Sequence, residues 1–312
     1  MKANIKAVTL AIFAALSISA CNEQNEQSES QLVAVESKQG AANQETTSDA
    51  KPEATADKKE TTGSKLVSII EGDHRSEQNK ARNEYRHPAE TIKFFGIRPG
   101  MTVVEVSPGG GWYTEILAPW LGKEGKLYAA HFDPNSEVEY YQNSLKGFKD
   151  KLAANPELYS NVELTVFDPK STNPIAPANS ADVVVTFRNV HNWMRGGREE
   201  ALNAFKLMHD AVRPGGMLGV VEHRLATRLE QDEKASSGYM HEKFVIDLAE
   251  EAGFKLLERS QINANPKDTT DHPKGVWTLP PSLRLGEENK EQYLEIGESD
   301  RMTLKFVKPA VQ

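Results

Sequence analysis

Two stretches of the chain combine residue types that could bind a ligand. The first is 103–113, Val-Val-Glu-Val-Ser-Pro-Gly-Gly-Gly-Trp-Tyr, in which Glu105 and Ser107 lead into three consecutive glycines at 109–111. Consecutive glycines permit positive φ and close approach of the backbone to a ligand, and a helix that follows offers free N–H groups. This stretch predicts a backbone site for a nucleotide-like molecule. A structural turn without a ligand is the alternative.

The second stretch is 188–193, Arg-Asn-Val-His-Asn-Trp, which directly follows the apolar run 182–187. Polar side chains at the end of a buried strand are costly unless water, a ligand or neighbours satisfy them. In parallel α/β sheets this edge is where ligands bind. Arg188 and Asn189 are therefore candidate binding residues, and a satisfied polar network that stabilises the loop is the alternative.

These residues need a scaffold, and the hydrophobic pattern predicts one of alternating strands and helices. β-branched and alternating apolar runs indicate strands, and helical spacing separates most of them. Such alternation is typical of an α/β domain with a mostly parallel sheet. The predicted strands are 103–106, 126–130, 162–167, 182–187, 217–223, 254–259 and 302–307. The intervening stretch 263–299 is rich in proline and charge and predicts a loop over the sheet that shapes the substrate opening.

The order of these motifs resembles that of class I S-adenosylmethionine (SAM) dependent methyltransferases, most closely a group of predicted methyltransferases of proteobacteria. The resemblance rests on Glu105-x-Ser107-x-Gly109-x-Gly111 and on the Arg-Pro-Gly-Gly turn at 213–216, and it covers positions 89–307. It implies a Rossmann-like fold with a seven-stranded, mostly parallel sheet and a C-terminal antiparallel hairpin. It also implies S-adenosyl-L-methionine as cofactor and a small-molecule methyl acceptor. The four motif residues would bind the cofactor together with Arg188 and Asn189.

By the same resemblance, acids at the ends of the second and third strands contact the nucleoside. Asp133 is the candidate for the ribose hydroxyls, and Asp168 is the candidate for adenine. The usual acidic position falls on His131, two residues before Asp133, and two residues along an extended segment return to the same face. A loop cap before Pro134 is the alternative for Asp133.

An oxygen or nitrogen acceptor of a methyl group must lose a proton, which calls for a general base. Imidazole titrates near neutrality, so His191 in the second stretch is the first candidate catalytic residue and His223, after the fifth strand, is the second. No metal is expected. Tyr85 and Arg86, in the helical stretch before the first strand, could lie over the ligand, and a surface helix cap explains them equally well.

Two other function classes compete with methyl transfer. A nicotinamide-dependent oxidoreductase would need a third glycine at position 114, which is Thr114. A non-catalytic lipoprotein could use the same fold as a binding module.

The N-terminus predicts export and lipidation. Lys2 and Lys6 precede the apolar run 7–16, and small residues lead to Cys21, which resembles a bacterial lipobox. Residues 1–20 are therefore a predicted signal peptide, and Cys21 is the predicted lipid-anchored residue. Residues 21–65 carry that cysteine and a polar segment with no aromatic residue, which predicts a disordered tether to a folded domain at 66–312.

Charge and cysteine content limit the possible partners and location. The 312-residue chain has a net charge of −8, which disfavours binding to nucleic acid phosphates. Cys21 is the only cysteine, so nothing contradicts an extracytoplasmic location. The predicted location is the periplasmic side of the cell envelope, with the outer membrane favoured by analogy with lipoprotein sorting.

Overall fold

The computed structural model describes residues 62–310. The predicted signal peptide, Cys21 and most of the predicted tether lie outside these residues. The first helix begins at Thr62 and buries Leu66 and Ile70, so the last four residues of the predicted tether are helical. Within the described range, no helix has the length and apolar character needed to span a membrane.

The strands form one mixed sheet in the order β3-β2-β1-β4-β5-β7-β6. Strands β1 to β5 pair in parallel, whereas β7 is antiparallel to both of its neighbours. This arrangement confirms the predicted fold class. The strands are β1 (Thr102–Val106), β2 (Lys126–His131), β3 (Val162–Val166), β4 (Ala181–Phe187), β5 (Val212–His223), β6 (Lys255–Ser260) and β7 (Arg301–Val307).

Helices pack on both faces of this sheet. Val103 belongs to one hydrophobic cluster and Val104 to the other, because successive side chains of a strand point to opposite faces. The helices are α1 (Thr62–Ile70), α2 (Glu77–Lys80), α3 (Asn83–Arg86), α4 (Pro88–Phe94), α5 (Thr114–Leu121), α6 (Glu139–Ala154), α7 (Val190–Trp193), α8 (Arg198–Ala211), α9 (Glu242–Glu251) and α10 (Lys290–Ile296).

Proline sets local features of two helices. Pro88 is the first residue of α4 and follows His87, whose φ of 40° breaks the chain direction. Pro119 lies inside α5, which ends two residues later at Leu121. Proline has no N–H to donate to the carbonyl four residues earlier. That carbonyl, Glu115 O, instead lies 2.9 Å from Nε2 of His74.

The register of the central strands brings the predicted site residues to one edge. Val106 of β1 pairs with Thr186 of β4, and Phe187 of β4 pairs with Val221 of β5. The segments that follow these three parallel strands therefore lie side by side. The long connection between β6 and β7 contains the 3-10 helix Gly275–Thr278 and α10, and part of it faces the same edge.

Candidate functional site

A cavity of about 640 Å³ opens at the carboxyl edge of the sheet. This volume is within the range of small-molecule sites. The segments that follow β1 and β4, together with His223 at the end of β5, line the cavity. Residues from the β6–β7 connection, among them Trp277 and Ser299, form another side, which confirms that this connection shapes the opening. Of the residues predicted for the site, those that line the cavity are Arg86, Glu105, Ser107, Gly109, Arg188, Asn189, His191 and His223.

The glycine turn leaves space at the cavity. Ser107, Gly109 and Gly111 have φ values of 54°, 58° and 77°, in the left-handed region that favours glycine. A Cβ built on Gly109 would meet no heavy atom within 4 Å. A Cβ on Gly111 would come within 3.0 Å of the ring of Phe148. Gly109 therefore leaves room for a ligand, whereas Gly111 allows α6 to pack closely, and it does not line the cavity.

Glu105 places a carboxyl group at the bottom of the cavity. It is buried, and the Thr114 hydroxyl donates a hydrogen bond of 2.6 Å to Oε2. Burial raises the pKa of Glu105 to about 7, against the lowering effects of Thr114 and Lys151. Thr114 occupies the position at which a dinucleotide-binding fingerprint has its third glycine, and its hydroxyl supports this carboxyl group.

Asn189 holds the ends of β1 and β4 together. Its Nδ2 donates to the carbonyl oxygens of Val106 at 3.1 Å and Ser107 at 3.3 Å, and to Oγ1 of Thr186 at 3.0 Å. The side chain thus fixes the conformation of the glycine turn, and it also lines the cavity. The hydrogen bonds of Asn189 therefore form part of the loop-stabilising polar network that was the alternative interpretation, and they do not exclude a binding role.

His191 is oriented by a carboxylate that sequence reasoning missed. Its Nδ1 lies 3.0 Å from Oε1 of Glu222, and Oε2 of Glu222 accepts the His191 backbone N–H at 3.3 Å. Glu222 also accepts the backbone N–H of His223 at 2.7 Å. One signal was available, because Glu222 ends the apolar run of β5 at the same edge as the other predicted residues.

His223 is buried beside His191, with 5.3 Å between the ring centroids. Burial, and then the charges of His191 and nearby arginines, lower the pKa of His223 well below its ordinary value. Its Nδ1 lies 2.5 Å from the Ser299 hydroxyl. Among residues 62–310, His191, Glu222 and His223 are the one group of three or more potential metal ligands whose ligand atoms lie within 4.8 Å of one another. The hydrogen bonds to Glu222 satisfy its oxygens without a metal.

The acids predicted for the nucleoside lie outside the cavity lining. Oδ1 of Asp133 accepts the Asn135 N–H at 2.8 Å, and Oδ1 of Asp168 accepts the Lys170 N–H at 2.9 Å. Each acid therefore caps its own loop, as the alternative for Asp133 proposed. Their contacts with ribose and adenine stay predictions.

His131 fills the position where the resemblance would place an acid. Its Nδ1 accepts the Phe132 N–H at 2.8 Å, so the proton resides on Nε2, which donates to Gly109 O at 3.1 Å. Through this hydrogen bond to Gly109, His131 supports the glycine turn.

Six arginines line the same cavity as the glycine turn, and four of them interact electrostatically with Glu298. We call Arg82, Arg86, Arg188 and Arg301 the arginine cluster. Three of the four pair with Glu298, which accepts from Nε of Arg82 at 2.5 Å and Nε of Arg86 at 3.3 Å and pairs with Nη2 of Arg301. The sequence analysis considered Arg86 over the ligand. It did not identify Arg82, Glu298 or Arg301.

This sheet order and the glycine turn define the Rossmann-like fold of SAM-dependent methyltransferases. Two solved structures share it. A [4+2]-cyclase, SpnF, matches at a TM-score of 0.52 and 14% identity over 80% of this chain and 93% of that chain. A putative sarcosine dimethylglycine methyltransferase from Galdieria sulphuraria matches at 0.51 and 12% identity over 75% and 88%.

One curated protein is similar in sequence. It is the ubiquinone/menaquinone biosynthesis C-methyltransferase UbiE of Hydrogenovibrio crunogenus, which is 28% identical over 140 residues, 44% of this chain. The matched region spans 48% of that relative, about half of its length. No family model matches the chain.

Proposed function

We propose that this protein is a SAM-dependent methyltransferase that acts on a small molecule. The observation that carries the proposal is the open space beside Gly109 in a cavity that also contains Glu105 and the His191–Glu222 pair. The fold and the similarity to a C-methyltransferase imply S-adenosyl-L-methionine as the cofactor.

The residues of the glycine turn fit such a cofactor. The positive φ angles turn the backbone at the end of β1, and the absence of side chains at 109 and 110 lets a ligand reach it. Glu105 would face the positively charged donor, and ionisation of its buried carboxyl group would be favoured by that charge. Asn189 would keep the turn in this conformation during binding.

When bound, the donor supplies an electrophilic methyl group for in-line displacement. The protein then has to orient the acceptor, exclude water and remove a proton. Nδ1 of His191 lies 3.0 Å from Oε1 of Glu222, and in the neutral tautomer that donates to this carboxylate the free lone pair is on Nε2, which has no hydrogen-bond partner among residues 62–310. Nε2 would accept the proton of an oxygen, nitrogen or acidic carbon acceptor as the methyl group is transferred, and Glu222 would stabilise the resulting imidazolium.

Binding and turnover have to be measured separately, because the fold does not by itself fix the reaction. The structure of a [4+2]-cyclase has this fold, so a binding module or a different catalyst is the alternative. We expect the full-length chain to bind SAM and S-adenosylhomocysteine in calorimetry, and not NAD. We also expect it to transfer labelled methyl groups to molecules of a cell extract. Binding without transfer would favour the non-catalytic module, and tight binding of NAD alone would reject the proposal.

We further propose that Cys21 carries a lipid anchor and that the domain faces the periplasm, with the outer membrane favoured over the inner membrane. Support comes from Lys2 and Lys6, the apolar run and the small residues before Cys21. Two acyl chains anchor a protein stably where one does not. SAM is made in the cytosol, so this location requires a supply of donor outside the cytosol.

A further inference from the structure

The arginine cluster carries more positive charge than the protein neutralises. Three of its four guanidinium groups pair with the single carboxylate of Glu298, and Arg188 has no ion-pair partner among residues 62–310. Burial opposes ionisation of Glu298, but the charges of Arg301 and Arg86 hold its pKa well below the ordinary value. Glu298 is therefore fully ionised at neutral pH, and the cluster still has an excess of cations.

Several of these guanidinium nitrogens have no partner. Nη1 and Nη2 of Arg86 and Nη2 of Arg82 are buried without a hydrogen bond within the described part of the chain. The Arg86 side chain is only 2% exposed. Buried charged groups are normally paired, so unpartnered nitrogens of this kind indicate that a ligand supplies the acceptor.

Arg188 is a second member of the cluster with guanidinium nitrogens that lack a partner. Among residues 62–310 its side chain makes no hydrogen bond or ion pair, although it lies in the cavity. Burial, and then the charge of Arg301, lower the pKa of Arg188 to about 10. Burial followed by the charge of Arg188 lowers the pKa of Arg86 well below its ordinary value. The guanidinium groups of Arg86 and Arg188 are thus neighbours that repel each other.

The methyl donor cannot neutralise this charge. Its sulfonium and ammonium groups are positive, and its single carboxylate is negative, so the donor adds a net positive charge to the cavity. Glu105 and Glu298 are the cavity-lining carboxylates of the described residues, and Arg195 and Arg284 at the rim add two more cations. An acidic acceptor would supply the missing negative charge.

We propose that the methyl acceptor is an acid whose carboxylate or phosphate group binds Arg86 and Arg188. This inference rests on the proposed methyltransferase function. Guanidinium groups bind such anions through two parallel hydrogen bonds, which would fix the orientation of the acceptor. The cluster and the proposed base are contiguous, because Ser299 contacts Nε of Arg301 at 3.4 Å and Nδ1 of His223 at 2.5 Å. An acid held there presents the rest of the molecule to His191.

The test uses inorganic phosphate as the probe in calorimetry, with the full-length chain saturated with S-adenosylhomocysteine and chloride at matched ionic strength as the control. We expect phosphate to bind, and Arg188→Gln and Arg86→Gln each to weaken it about tenfold or more, as expected for a lost charged hydrogen bond. Arg228→Gln is the matched control, because Arg228 is an exposed arginine paired with Asp271 and lies outside the cavity lining.

Folding of the variants does not limit the test. Arg188→Gln removes no hydrogen bond of the protein, and thermal unfolding monitors both variants. We expect S-adenosylhomocysteine and 5′-methylthioadenosine, which lacks the amino-acid portion, to bind the variants within about threefold of the original affinity. A threefold change is less than the tenfold change that corresponds to about 1.4 kcal/mol.

Three results would contradict the inference or part of it. Equal phosphate binding by all variants, or none by the original protein, would show an adventitious ion only or no site. Loss of S-adenosylhomocysteine affinity with retained 5′-methylthioadenosine affinity would assign the arginines to the donor carboxylate. The third result is a protein that fails to bind S-adenosylhomocysteine but binds phosphate through Arg86 and Arg188. This result would overturn the proposed function and the assignment to an acceptor, and it would support an anion site.

Discussion

Replacing Glu105 by glutamine removes a charge from the bottom of the cavity and leaves the shape of the side chain almost unchanged. The carboxyl group is buried, and its pKa is raised by that burial from an ordinary 4.5 to about 7. This difference corresponds to about 3 kcal/mol of unfavourable free energy for the ionised form in the folded protein. A glutamine oxygen can still accept the hydrogen bond from Thr114 without that cost.

The sign of the pH dependence follows from the raised pKa. Between pH 4.5 and 7 the folded protein binds the Glu105 proton more tightly than the unfolded chain, so this group makes folding less favourable as pH rises. Above pH 7 the cost is complete. Glu105→Gln should therefore be more stable than the original protein by about 3 kcal/mol at pH 8 and by about 1 kcal/mol at pH 5.

Calorimetric unfolding at the two pH values measures this difference. For a domain of this size about 3 kcal/mol raises the melting temperature by about 6 to 12 °C at pH 8. Glu124→Gln is the control, because Glu124 is exposed in the turn after α5 and should give no change. Donor binding should change in the opposite direction and weaken about tenfold or more at pH 8, because a charged hydrogen-bond acceptor is lost. A stability difference that is independent of pH, or a less stable variant at pH 8, would refute this reasoning.

Four further perturbations test the site and the anchor. Gly109→Val should abolish binding of SAM in calorimetry and lower stability by about 1–2 kcal/mol. Gly286→Val, at another open position with positive φ outside the cavity, should lower stability by a similar amount and leave SAM binding unchanged. Unchanged affinity for Gly109→Val would remove the turn from the site. His191→Ala should lower turnover about 10²- to 10⁴-fold and leave the Kd of the donor within about threefold, and equal activity would reject it as the base. Treatment with EDTA should leave turnover unchanged, since backbone and imidazole N–H groups already satisfy Glu222; a loss restored by added metal would contradict this. Cys21→Ala should release the protein from membranes in a sedimentation assay, and a variant that still sediments with them would undo the lipid anchor.

Local sequence patterns were sufficient for the framework of the protein. β-branched runs such as that in β4 predict the strands, and the structure confirms their order along the chain and the sheet they form. The glycine turn was also readable, since positive φ at Gly109 depends on residue type and neighbouring backbone alone. Because parallel strands end at one edge, the sequence also predicted that Arg188, Asn189 and His191 lie beside that turn.

Residues that lie close only in the folded chain decided the chemistry of the cavity. His191 and Glu222 are 31 positions apart, and Arg86 and Glu298 are 212 positions apart, so no local pattern joins them. Asp133 accepts a hydrogen bond from its own loop and lies outside the cavity lining, and its contact with ribose stays a prediction. Sequence alone therefore determined the elements and the backbone turn, which depend on short-range sterics and hydrophobic periodicity. The tertiary structure decided which charges are buried together and which remain unpaired, because desolvation and Coulomb interactions depend on distances through space and not on separation along the chain.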